Sequence, residues 1–263
     1  MRQRTRKRFG QHFLHDPAVI ARIVDAIDPQ PGECVVEIGP GLGAITRPLI
    51  NRAGRVVAIE IDRDLAGTLS EDFDADNELI IHNCNALTFD FLSVRCDAKL
   101  RITGNLPYNI STPLLFRLIE FRDQIEDMHF MLQKEVVDRM VAHPGSKAYG
   151  RLTVMLAPYL QMERLFTIGA GAFKPPPKVS SAFVRLRPHS VPPFRIDDDG
   201  CFSAIVAEAF SHRRKTMRNA LRRYFDEADL VAAHIVPGVR PEAVSPEAFA
   251  ALARQLAARG KSA

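Results

Sequence analysis

Short continuous apolar runs recur along the first two-thirds of the chain, and between them apolar residues return at helical spacing. Cys34-Val35-Val36-Glu37-Ile38-Gly39, Arg55–Ile61, Glu78–His82, Lys99–Thr103 and Met128–Leu132 each predict a strand buried on both faces. Asp16-Pro17 predicts a helix start, with Asp as cap, Pro in the first turn, and Val19, Ile20, Ile23, Val24 and Ile27 on one face. Further helices are predicted up to about Arg52, from Leu65 onward, from Ser111 (read as a cap) to Glu120, and around Val136, Val137 and Met140. Strands alternating with helices make a parallel sheet covered on both sides. Leu165–Ile168 and Ala182–Leu186 flank a Pro-rich loop, and their short connection predicts an antiparallel hairpin at the sheet edge. Pro188–Asp199 reads as a linker. Beyond it only helical patterns occur: Cys201–Phe210, Arg213–Phe225, Asp226–His234 and Ser245–Arg259. Two domains are expected, an α/β domain over 1–190 with a basic N-terminal arm and a helical domain over 191–263.

A chain of 263 residues with 46% hydrophobic content has the length and composition for this division. No apolar run is long enough to cross a bilayer, and no apolar segment of signal type follows the basic amino end, so a soluble cytoplasmic protein is expected. The four cysteines form no CxxC pair and have no His at ligand spacing; reduced thiols and no metal site are expected. Net charge is only +4, but its distribution is uneven. Arg2, Arg4, Arg6, Lys7 and Arg8 crowd the amino end, and Arg213, Arg214, Lys215, Arg218, Arg222 and Arg223 crowd one late segment. Arg214, Arg218 and Arg222 would share one helical face, where like charges repel by roughly 0.2–0.5 kcal/mol per pair. A polyanion relieves that repulsion, so the basic segments predict contact with nucleic acid; the alternative is two solvated surface stretches.

Two turns carry the candidate chemistry. Gly39-Pro40-Gly41-Leu42-Gly43 joins the first apolar strand to its helix, where glycines let the backbone approach a ligand. Glu60 ends the second strand, where a carboxylate accepts ribose hydroxyls. Together they indicate an adenosine-type cofactor, either NAD or S-adenosylmethionine. Gly104-Asn105-Leu106-Pro107-Tyr108 then follows the fourth strand. It presents an amide, a stiff backbone turn and an aromatic ring, which is what gripping the exocyclic amine of a flat base requires. NAD chemistry has no need of that turn, whereas N-methylation of a base does, so S-adenosylmethionine is favoured.

The chain resembles the ribosomal RNA adenine dimethyltransferase family over nearly its whole length, and most closely its bacterial small-subunit (16S) members. The residues that carry the resemblance are Phe9-Gly10-Gln11-His12-Phe13-Leu14, Glu37-Ile38-Gly39-Pro40-Gly41, Asn105-Leu106-Pro107-Tyr108-Asn109-Ile110-Ser111, Phe173-Lys174-Pro175-Pro176-Pro177-Lys178-Val179 and Arg213-Arg214-Lys215-Thr216. The resemblance implies a class I S-adenosylmethionine-dependent methyltransferase fold: α/β, Rossmann-like, with a mostly parallel seven-stranded sheet and a small C-terminal all-helical domain. It implies N6,N6-dimethylation of two adjacent adenosines in the 3′-terminal hairpin loop of 16S rRNA, within the 30S subunit or its precursor, by a protein expected to be monomeric.

Carried over by position, the resemblance places cofactor contacts at His12, Leu14, Gly39, Gly41, Glu60, Asn85 and Asn105. Catalysis falls to Asn105, Leu106, Pro107, Tyr108 and Phe173, and RNA contact to Arg6, Lys7, Arg8, Arg213, Arg214, Lys215, Arg218 and Arg222. Position 12 is more often Asn in the family, and position 85 more often Asp. Competing readings are a 23S rRNA methyltransferase of the antibiotic-resistance type, an RNA-binding assembly factor without catalysis, and a DNA adenine methyltransferase, for which the length leaves no separate target-recognition domain.

Overall fold

The computed structural model describes residues 12–73, 79–94, 96, 98–107, 110–212 and 214–260. Arg6, Lys7, Arg8, Tyr108 and Arg213 lie outside the described residues. The chain divides into two compact units, Met1–Val137 with Met162–Pro188 and Asp138–Gln161 with His189–Ala263.

In the first unit, β1 (Phe13–Leu14) leads into α1 (Pro17–Ile27). The Asp16 carboxylate caps α1 by accepting the Ala18 and Val19 N–H groups at 2.9 and 3.2 Å. Ile23, Val24 and Ile27 are the buried stripe. There follow β2 (Cys34–Ile38), α2 (Thr46–Ala53), β3 (Val56–Ile59), α3 (Arg63–Asp72), β4 (Leu79–His82), β5 (Leu100–Asn105), α4 (Ser111–Ile119), β6 (Ile125–Gln133), α5 (Lys134–Met140), β7 (Leu160–Ile168), β8 (Phe173–Lys174) and β9 (Ser181–Pro188), while α6 (Arg151–Leu156), between α5 and β7 in the chain, belongs to the second unit. Seven strands form one sheet in the order β4-β3-β2-β5-β6-β9-β7. From β4 to β6 all neighbours are parallel, and β9 runs antiparallel to β6. The central strands are apolar because both faces are covered: Val35, Val36, Ile38, Val56, Val57, Ile59 and Ile102 are all buried. Each such side chain contributes roughly 1.5–3 kcal/mol on burial. A separate two-stranded ladder pairs β1 with β8, Phe13 opposite Lys174 and Leu14 opposite Phe173.

In the second unit, α7 (Asp199–Phe210), α8 (Met217–Ala220), α9 (Glu227–Ala232) and α10 (Pro246–Gly260) surround Phe202, Ile205, Val206, Leu221, Leu230, Phe249 and Leu252. Among the described residues no helix is long and apolar enough to cross a membrane.

Four expectations are corrected. The domain boundary at 190 omits Asp138–Gln161, which belongs with the helical unit. Tyr149 and Val154 enter that unit's core beside Phe202 and Phe249, and the Tyr149 hydroxyl donates to the Val244 carbonyl at 2.7 Å. Phe194 and Ile196, in the expected linker, also pack on this core. The basic segment is not one helix, since only Met217–Ala220 is helical. Thr216 is extended, and the Met217 and Arg218 N–H groups donate to Val239 and Pro237 carbonyls at 2.8 and 3.1 Å. Arg214, Arg218 and Arg222 therefore do not line one helical face, although all three are exposed, as is Lys215. The cysteines are not all free thiols: Cys34 and Cys96 form a disulfide across 62 residues, while Cys84 and Cys201 are free. Finally, Ser111 is the buried first residue of α4, and the cap position is Ile110.

Candidate active site

A cavity of about 290 Å³ opens at the carboxyl ends of β2, β3 and β5. This is where parallel α/β sheets bind ligands. It brings together His12, Leu14, Gly39, Gly41, Glu60, Asn85, Asn105, Leu106, Pro107 and Phe173. The expected RNA-contact residues that are described, Arg214, Lys215, Arg218 and Arg222, lie in the helical unit and take no part in the cavity.

The glycine turn after β2 is shaped by left-handed backbone at Gly39, Gly41 and Gly43. At Gly41 a Cβ would also stand 3.3 Å from the Phe13 ring, so a side chain there would be strained and crowded at once. Glu60 follows β3 and is only 5% exposed. One of its carboxylate oxygens accepts the Gly41 N–H at 3.2 Å and the other accepts the Asp62 N–H at 2.9 Å. Burial raises its pKa, and the two backbone donors pull the other way. The Glu60 carbonyl accepts the Asn83 Nδ2–H at 2.8 Å. The carboxylate thus ties the glycine turn to the end of β3.

Glu37 is the residue whose part in the site sequence reasoning missed. It carries the start of the glycine motif, faces the cavity, and is 1% exposed. The Thr46 hydroxyl donates to its Oε2 at 2.7 Å. Burial raises its pKa to about 7, the Thr46 hydrogen bond opposes this, and the nearby Glu60 charge adds to it. The spacing of an acid just before GxGxG was the available signal. Ile61 and Leu42 were also missed; both line the cavity, 52% and 46% exposed. Exposed apolar side chains beside a cavity offer a surface for a flat ring. The acidic side chains of the wall are the two glutamates, with no Lys or Arg among the described lining residues. Such a wall suits a cationic ligand that also carries hydroxyls and a planar ring.

The Asn105 turn is built from strand geometry. β5 ends at Asn105, and the Leu106 N–H still donates to the Met131 carbonyl at 3.2 Å. The Pro107 carbonyl then accepts the Ile110 N–H at 3.2 Å, closing the turn into α4. Asn105 Nδ2 donates to the His12 carbonyl at 3.1 Å. A carbonyl only accepts, so the amide nitrogen must face it, and Oδ1 is turned elsewhere. Among the described residues nothing donates to Oδ1. The Asn85 side-chain oxygen already accepts the Leu87 N–H at 3.0 Å. Phe173 lines the cavity yet is 3% exposed and packs with Leu14, Met131 and Phe183, so it is a wall of the site more than an open stacking face.

The family model of ribosomal RNA adenine dimethylases matches residues 2–257. A protein of Laribacter hongkongensis named ribosomal RNA small subunit methyltransferase A is 51% identical over 256 residues, covering 97% of each chain. Its namesake in Pseudomonas aeruginosa is 50% identical over 255 residues, covering 97% of this chain and 95% of that one. Among solved structures, the 23S rRNA methyltransferase ErmE is similar at 28% identity with a TM-score of 0.73, covering 93% of this chain and 99% of that one. A dimethyladenosine transferase from Plasmodium falciparum shares the fold at 24% identity and TM-score 0.77, covering 95% and 98%. The parallel sheet with its antiparallel β9 is accordingly that of a class I methyltransferase. On sequence, fold and the arrangement of its cavity, the chain belongs to the ribosomal RNA adenine dimethylase family.

Proposed function

We propose that this protein uses S-adenosylmethionine to dimethylate N6 of two adjacent adenosines in the 3′-terminal hairpin loop of 16S rRNA, within the small subunit or its precursor. The observation that carries the reading is the Asn105 amide. It lies on the cavity wall at the end of β5, its nitrogen is committed to His12, and its oxygen is left to accept.

S-adenosylmethionine, when bound, supplies a methyl group on a cationic sulfur, an electrophile strong enough to need no metal. Glu60 and the Gly39–Gly41 backbone would hold it, with Asn85 toward its adenine and Leu14 on the same cavity wall. The Asn85 oxygen, already engaged by Leu87, would serve through its second lone pair. The acidic wall formed by Glu37 and Glu60 suits the positive charges of that ligand.

The protein's own work is on the target base. The adenine amine is a poor nucleophile because its lone pair is delocalised into the ring. Asn105 Oδ1 and the Leu106 carbonyl accept its two hydrogens, which aims the lone pair and stabilises the positive charge that develops on nitrogen. Alignment of this kind contributes up to about 7–11 kcal/mol in ideal cases. Tyr108 supplies a stacking ring, worth roughly 1–3 kcal/mol per base. Phe173 is a buried part of the cavity wall. The exposed basic residues of the helical unit hold the RNA backbone.

The test is to incubate the protein with labelled S-adenosylmethionine and undermethylated 30S or 50S particles, then map the label. Dimethyladenosine at two neighbouring positions of 16S rRNA supports the proposal. Label confined to 23S rRNA, as the likeness to ErmE would allow, or RNA binding without transfer, would overturn it.

A further inference from the structure

Two acceptor-only oxygens decide where the protons sit around His12. Ring Nδ1 of His12 lies 2.8 Å from the Pro175 carbonyl oxygen. That oxygen has lone pairs and no hydrogen, so Nδ1 must carry the proton of this bond. The backbone carbonyl of the same residue receives the Asn105 amide nitrogen at 3.1 Å. A reversed amide would set oxygen against oxygen, so this contact selects one of the two flips of Asn105.

The segments involved are held side by side by the β1–β8 ladder and by the His15 N–H, which donates to the Ala172 carbonyl at 3.0 Å. A continuous path therefore runs from the Pro-rich segment after β8, through the His12 ring and backbone, to the amide that meets the substrate. His12, Asn105 and Pro177 all face the same cavity.

We infer that His12 is a positioning residue for methyl transfer, its Nδ1–H clamping the Pro175 carbonyl so that its own carbonyl keeps the Asn105 oxygen turned toward the adenine amine. The inference rests on the reading of Asn105 as the acceptor of that amine. It replaces the expectation that His12 serves mainly as a cofactor contact. The same geometry says which side chains could replace it. Asn Nδ2 is the same number of bonds from Cα as His Nδ1, so Asn keeps the donor in place. Gln places its donor one bond further out, where the His Nε2 would be. Ala has none.

Two measurements test this. In the ligand-free parent protein, 15N spectra of the histidine ring at neutral to mildly alkaline pH should show a proton on His12 Nδ1, although an isolated imidazole in water favours Nε2–H. An Nδ1 without a proton, in a protein that still methylates 16S rRNA, sinks the inference and leaves the functional reading intact. In steady-state methylation of undermethylated 30S particles, His12→Asn should stay within about threefold of the parent, while His12→Gln and His12→Ala lose about tenfold or more in kcat with little change in KM. Equal activity of the Gln and Asn variants, or a loss confined to the KM for S-adenosylmethionine, overturns the clamp. Transfer absent from every ribosomal substrate with Nδ1–H present would instead sink the functional reading on which it stands.

Discussion

Gly104 runs so close to Ile38 that a Cβ built at position 104 would overlap the Ile38 carbonyl oxygen. The two residues are register partners in the parallel β2–β5 pair, one step before Gly39 on one strand and Asn105 on the other. The absence of a side chain at 104 sets how near the glycine turn stands to the Asn105 turn.

Gly104→Ala should force β2 and β5 apart. Overpacking at such a site costs about 1–3 kcal/mol of stability. Activity should fall much further, since a displacement of about 1 Å at a catalytic group can cost on the order of a hundredfold. Thermal unfolding and methyl-transfer assays on the same preparation check this. An active variant of normal stability would show that the strands can separate harmlessly.

Glu37 predicts a pH dependence of stability. Its pKa in the folded protein is about 7, against 4.5 for the ordinary carboxyl. The folded state therefore holds this proton more tightly, and the contribution is present below pH 4.5 and lost as pH rises toward 7. Glu37→Gln removes the titrating group while keeping an oxygen for Thr46. Relative to that variant, the ligand-free parent should lose stability between pH 4.5 and 7 and then run level. Urea titrations across this range decide it; parallel curves would mean that Glu37 stays ionised.

Arg101 anchors the opposite, amino-terminal end of the same strands. Its guanidinium donates to Glu33 at 2.9 and 3.2 Å, to Asp127 at 2.7 Å and to the Ile27 carbonyl at 2.8 Å. The Asp127 side chain is 6% exposed, and burial raises its pKa to about 6 although Arg101 pulls it down. Arg101→Met would strand that carboxylate and cost about 3–5 kcal/mol. The deficit should shrink as pH falls, because a protonated carboxyl is cheaper to bury unpaired. Chemical unfolding at neutral and mildly acidic pH measures both effects, and a deficit that does not change with pH would exclude the stranded charge as its cause.

The basic residues of the helical unit should differ in their effect on RNA affinity. Arg218 is paired with Glu227 at 2.7 Å, whereas no ion pair engages Arg214 or Arg222 among the described residues. Replacing Arg214 and Arg222 by Ala should reduce the salt dependence of binding by about 0.7 for each phosphate of single-stranded RNA that is no longer neutralised. Arg218→Ala should change it less, since its charge is already partly balanced. An unaltered slope in the double variant would remove this surface from the RNA interface.

These sites were not equally legible. Two of the strands that carry the cavity stand out because burial on both faces makes Val35–Ile38 and Val56–Ile59 largely apolar, whereas β5 is legible mainly from Leu100 and Ile102. The ends that matter are marked by residues with a local chemical signature, the glycine turn, Glu60 and Asn105. The basic segment misled because four-residue spacing of arginines suits a helix. What the chain does there is set by Met217, Ala220, Leu221 and Phe225, which must reach the core and turn the backbone to do so. Asp138–Gln161 was invisible as part of the helical unit because its membership comes from Tyr149 and Val154 packing against residues far along the chain. The Cys34–Cys96 bond and the His12–Pro175 contact span 62 and 163 positions, and no local pattern encodes either.

Asn105→Ala, measured in a single turnover with prebound undermethylated 30S particles, tests the central claim most directly. The account predicts that the rate of methyl transfer falls by at least about a hundredfold while the RNA dissociation constant stays within about threefold. A variant that transfers methyl groups at the parent rate, or one that loses RNA binding in the same proportion as transfer, would contradict it.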